Sequence, residues 1–160
     1  MKPGGEFGEQ VVVHLEPGLS QSIGPLVPEL QRAVAAALEN GGCGGREVSL
    51  AVVSDPTLTE LHGRCLGDPT PTDVMSFELG AEGDGPFGEV VVSADFAERV
   101  AAERGVAFER ELCLYAVHGT LHLCGMDDHE PEERAAMRAA ERAVMGTLGF
   151  AEDRLPHDSP

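Results

Sequence analysis

The chain has 160 residues, enough for one domain with a substantial core. Hydrophobic residues make up 42% but aromatics only 4%, with no Trp, so the core must be built from Val, Leu and Ala. Eleven basic against 28 acidic side chains give a net charge of −17, which taken alone argues against a generic nucleic-acid coat or a binder of anionic membranes but leaves a local basic or metal-centred cleft open.

The opening segment MKPGGEFGEQ has no apolar h-region, so no signal peptide is expected. QVVVHL (10–15) predicts a short strand, and GPLVPELQRAVAAALEN (24–40) an amphipathic helix stopped by Gly41, Gly42, Gly44 and Gly45. EVSLAVVS (47–54) is a second strand. Asp55 then caps a helix with Pro56 at its first position, running to about Leu66. TDVMSFEL (72–79) and GEVVVS (88–93) predict a third and a fourth strand, close enough across the turn-rich AEGDGPFG to pair antiparallel. Ser93 can cap a helix that reaches about Arg104, where Gly105 stops it. A further helix runs from about Phe108 to Leu123 and ends at Gly125. Another begins near Pro131, behind the acidic DDHEPEE, and reaches about Leu148. No internal repeat is visible. The pattern predicts one α/β (α+β) domain over residues 1–150, a small mixed four-stranded sheet covered by about five helices, with a flexible tail at 151–160.

The longest apolar run, LCLYAVHGTLHLCGM, carries two histidines and is too short to span a bilayer. A cytoplasmic protein is therefore expected. Its four cysteines, Cys43, Cys65, Cys113 and Cys124, form no C-x-x-C pair and read as free thiols of a reducing compartment.

HGTLHLCGMDDH (118–129) concentrates the chemistry. His118 and His122 are four apart on the helix from 108 to 123, so they lie roughly 40° apart around its axis and one turn apart along it. That suits adjacent ligands of one metal ion. Gly125 can turn the chain back and bring His129 to the same point. Three neutral imidazoles would leave a fourth position open, the mark of a catalytic zinc. The ligand type suits Zn²⁺, with Ni, Cu and Fe open by the same criterion. The glutamate of the zinc-protease motif H-E-x-x-H is absent, because position 119 is Gly119. Its small size is expected to leave room beside the metal. Leu114, Val117 and Leu121 form the core face, and Cys124 points to packing rather than ligation. Glu111 and Tyr115 continue the histidine stripe one and two turns back, where packing or exposure is expected and a role as hydrogen-bond partner to the metal ligands is the alternative.

PTPTDVMSF (69–77) brings two X-Pro steps into a strand, with Thr72 and Asp73 at its lip. The segments Pro71-Thr72-Asp73-Val74-Met75-Ser76-Phe77 and His118-Gly119-Thr120-Leu121-His122-Leu123-Cys124-Gly125, with a histidine beyond, resemble the signatures of the YbeY family. These are a PTDVLSF strand and an HGxLHLxGxDH metal motif. FGEVVVS (87–93) is similar to the family's GDIxIS strand, and the resemblance covers about Val11 to Leu148. It implies a mixed α/β fold with a metal cleft at the HGxLH helix and one Zn²⁺ held by His118, His122 and His129. It further implies a metal-dependent endoribonuclease that cuts single-stranded RNA in 16S rRNA 3′-end maturation and ribosome quality control. The partners implied are the small ribosomal subunit and its assembly factors, with no membrane and no DNA.

Two positions depart from the family pattern. The third histidine usually stands ten residues after the first, where this chain has Asp128, with His129 one later; either the turn absorbs a residue or Asp128 ligates. The family arginine five residues before the proline of the PTDV strand is here Leu66, and the nearest arginine is Arg64. Arg64 is the candidate phosphate clamp, beside His118 as a catalytic residue. Zinc lowers the pKa of its bound water towards about 7, so no glutamate base is needed, and the RNA 2′-OH is a second candidate nucleophile. Two other readings stand beside this one: a different zinc metallohydrolase, peptidase or esterase, and a ribosome-assembly factor whose metal is structural.

Overall fold

Side-chain alternation along the strands sorts the apolar residues onto two faces of one sheet. The computed structural model describes residues 10–66, 73–79 and 87–150. The predicted tail at 151–160, the Pro71-Thr72 step and most of AEGDGPFG lie outside them. Four strands are present among the described residues: β1 (Val11–Leu15), β2 (Val48–Val53), β3 (Val74–Glu78) and β4 (Gly88–Ser93). Their order is β1-β2-β4-β3. β1, β2 and β4 run parallel, and β3 pairs antiparallel with β4, Ser76 opposite Val90. The sheet is mixed, as the sequence predicts, and β3 is an edge.

On one face Val11, Val48, Leu50, Val52, Val90 and Val92 enter the main core. On the other, Val91 and Met75 meet Leu58 of helix α3 (Asp55–Leu66) in a smaller cluster. α3 therefore covers one face, and the remaining helices cover the other. The helix expected over 24–40 is preceded by a single turn α1 (Ser20–Ile23) and is itself split into a 3-10 turn (Gly24–Leu26) and α2 (Val27–Asn40). Pro25 and Pro28 lack the N–H that a continuous helix would need, and each sits where a new helical segment begins. α4 (Ala94–Arg104) starts where Ser93 Oγ accepts from Phe96 N at 3.1 Å, and it stops at Gly105, whose φ is +69°.

α5 (Phe108–Leu123) is the centre of the molecule. It packs on β3 and β4 and is flanked by α2, α4 and α6 (Pro131–Thr147). All its residues from Arg110 to Leu121 are buried. A single apolar stripe was expected, but α5 is buried all round from Arg110 to Leu121, and on its histidine face His122 at the last turn is the residue left partly exposed. Glu111 and Tyr115, on that face, are packed rather than exposed.

Candidate metal centre

Gly119 is the contact point between α5 and the sheet. A Cβ there would lie 2.6 Å from Val90 Cγ1 and 2.9 Å from Val74 Cγ2. Ser76 Oγ also donates to the Gly119 carbonyl at 2.8 Å. The expectation that this glycine leaves room beside the metal is therefore corrected. It lets the helix backbone close onto β3 and β4, and that approach brings His118 and His122 to the lip of the edge strand.

The turn after α5 sets the third donor. Gly125 adopts φ +98°, Met126 N donates to Leu121 O at 3.1 Å and Gly125 N to His122 O at 3.0 Å. This is the Schellman pattern that reverses a chain at a helix end. The reversed segment carries Asp128 back over the histidines. His118 Nε2 lies 3.1 Å from His122 Nε2, and Asp128 Oδ2 lies 3.5 and 3.6 Å from the two. Donors at about 2.0–2.2 Å from one tetrahedral ion stand about 3.3–3.5 Å apart, so this triangle has the size of a metal site. His118, His122 and Asp128 form a group able to hold a metal ion. His129 does not join it in this structure: its side chain is exposed, and its carbonyl accepts from Arg134 Nη1 at 2.7 Å. That carbonyl belongs to the start of α6, where Glu130 and Glu133 form a capping box.

A residue with no place in either sequence motif completes the arrangement. Glu141 of α6 is fully buried, and its Oε2 lies 2.5 Å from His118 Nδ1. The signal in the sequence was a charge at a core position. Met137, Glu141, Val144 and Met145 form the buried stripe of α6, and one of the four is a carboxylate.

The two histidines are pushed in opposite directions. Burial pulls the His118 pKa down, but the Glu141 hydrogen bond and the charges of Glu141, Asp73 and Asp128 outweigh it and raise the pKa above 6.5. Burial lowers the His122 pKa, and the neighbouring His118 adds to the effect. Farther along the stripe, burial lifts the Glu111 carboxyl above its ordinary range.

An open cleft of about 750 Å³ lies in front of the group. His118 and His122 form one wall, Asp73 and β3 the floor, and His62 and Cys65 of α3 the far side. Arg64 is on another face of α3, beside a separate hollow with Asp55, Thr59 and Glu60. It is 72% exposed and 3.9 Å from Glu60. Two residues along the helix from Arg64, His62 faces the cleft.

The fold and the site define a class: a mixed α/β protein whose central helix presents two histidines and whose following turn presents a carboxylate, spaced for a divalent metal. Comparison with known proteins narrows this. The profile described as Endoribonuclease YbeY matches residues 22–149, and the chain belongs to that family. It is 40% identical over 140 residues to the Endoribonuclease YbeY of Rhodopirellula baltica, covering 84% of this chain and 72% of the relative. It is 41% identical over 129 residues to that of Pelotomaculum thermopropionicum, covering 76% and 85%. The solution structure of a Thermotoga maritima protein is similar with a TM-score of 0.53 at 25% identity, over 93% of this chain and 99% of that one. The family read from the two motifs is thus the family found.

Proposed function

We propose that the chain is a metal-dependent endoribonuclease that cuts single-stranded RNA, with zinc held by His118, His122 and Asp128. The observation that carries this is the triangle of two Nε2 atoms and one Oδ2 at the mouth of an open cleft. Bound there, zinc supplies a Lewis acid for the phosphoryl oxygens and an ionisable water. Asp128 would offset part of the ion's charge and stands at the tenth position after His118, where the family has its third histidine. His129 remains the alternative third ligand, one residue along the same turn. Among the described residues lining the cleft, Asp73 and Glu78 are acidic, so an anionic backbone needs a compensating group at the reacting phosphate. His62 lines the cleft where that phosphate would lie, whereas Arg64 faces the outer hollow beside Glu60.

The place of a protease's glutamate is filled by sheet packing against Gly119, which weighs against the peptidase reading. Residues 1–150 are read as one catalytic domain, with 151–160 outside it. The reading extends to 16S rRNA 3′-end maturation and ribosome quality control in the cytoplasm, with the small ribosomal subunit as partner. Among the described residues no helix is long and apolar enough to cross a membrane.

The test is incubation of purified protein with a labelled single strand, with chelator and after zinc is restored. Cleavage that chelation abolishes and zinc restores is expected. Cleavage that ignores the chelator would remove the metal from the reaction. End analysis then separates the nucleophiles, since 2′-OH attack leaves a 2′,3′-cyclic phosphate and water attack does not.

A further inference from the structure

α6 buries one stripe, and within it Glu141 is an anomaly. The side chain is fully buried between Met137 and Val144, and its Oε1 has no hydrogen-bond partner. A buried carboxylate with a free oxygen costs more than the Leu or Met that would complete the stripe. The fold alone gives no reason for it. Its Oε2, however, lies 2.5 Å from His118 Nδ1.

We propose that Glu141 is a positioning residue that fixes the tautomer and ring orientation of His118 for metal binding. The inference rests on the metal reading above. An imidazole with its proton on Nδ1, donated to Glu141, presents the lone pair of Nε2. Nε2 is the atom that faces His122 Nε2 at 3.1 Å and Asp128 Oδ2 at 3.5 Å. Without an acceptor behind it the ring can rotate or carry its proton on Nε2, and either change removes a ligand. Glu141 is not itself a ligand here, because it holds the ring nitrogen on the side away from the other two donors. The carboxylate also comes from α6, so it ties the helix after the Asp128 turn to the helix before it. Both sides of the site are then referred to one hydrogen bond. Carboxylates behind ligating histidines act in this way in other metal proteins.

The experiment uses Glu141→Leu and Glu141→Gln in the full chain, with three readouts. Zinc affinity is measured by competition with a chromophoric chelator. The His118 tautomer is read by nitrogen NMR of metal-free protein. Thermal melting of the metal-free protein reports the fold. Glu141→Leu should bind zinc about 10- to 100-fold more weakly, lose the Nδ1–H signal, and melt at or above wild type. Glu141→Gln keeps an acceptor and should recover the tautomer and most of the affinity. Should Glu141→Leu fail to fold, Glu141→Asp, whose shorter arm withdraws the acceptor, carries the same comparison. Wild-type affinity together with an unchanged tautomer in the Leu or Asp variant would overturn the proposal. Wild-type protein that takes up no zinc would sink the metal reading instead, and the tautomer measurement would still decide whether Glu141 sets the ring.

Discussion

At position 119 a missing side chain does the structural work. Val90, Val74 and Ser76 all stand within 3.0 Å of where a Cβ would be, and none is the far end of a long flexible chain. Gly119→Ala should therefore destabilise the protein by about 1–3 kcal/mol through overpacking, despite the better helix propensity of alanine. Chemical denaturation checks this, and an unchanged midpoint would show that the strands yield freely. Asp128 and His129 offer a second comparison. Asp128→Ala should lower bound zinc much more than His129→Ala, read by elemental analysis after dialysis. The reverse result would mean that the turn rearranges around the metal to place an imidazole where the carboxylate now lies.

Among the elements, α3 separates two candidates for the phosphate. His62 faces the cleft and Arg64 an outer hollow, so His62→Ala should slow RNA cleavage more than Arg64→Ala, by roughly 10-fold or more, while metal content stays constant in both. A slower Arg64 variant would show that the arm swings over the helix. The start of α3 carries a pH-dependent tie as well. Glu16 accepts from Thr57 Oγ1 at 2.5 Å, and this bond, with those from Ser54, holds its carboxyl below the usual 4.5 even though partial burial opposes the shift. A lowered folded pKa gives stability that is present above the unfolded value and lost as pH falls through the folded one. Glu16→Gln should thus melt about 2 °C below wild type at neutral pH, with the gap closing in acid.

Much of this scale was legible in the sequence. Ser93, Gly105 and Pro131 are punctuation that local chemistry fixes: Ser93 begins α4, Gly105 ends it and Pro131 begins α6. Strand order was not legible, because pairing β2 with β4 depends on which faces the helices cover. Of the metal site, the His118–His122 pair followed from helical spacing alone. His129 was the expected third ligand and Asp128 its alternative; the turn in this structure brings the Asp128 carboxylate to the two histidines. Glu141 was missed because its partner lies on a different helix, and a buried charge reveals itself only against the apolar stripe around it.

For the whole molecule, a net charge of −17 leaves few cations to displace counterions from RNA. Non-specific affinity should be weak, with a shallow dependence on salt, and duplex RNA should be left nearly intact because a paired strand cannot enter the cleft. Ribosomal particles should raise the rate on 16S rRNA more than on an unrelated strand. The central claim is that the group on α5 and its turn is the catalytic centre. Its most direct test is the cleavage rate of one single-stranded RNA by wild type and by His118→Ala, purified side by side, with bound metal measured in the same samples. The account predicts that the variant loses both metal and cleavage while keeping its fold by circular dichroism. Equal cleavage by the two proteins would contradict it.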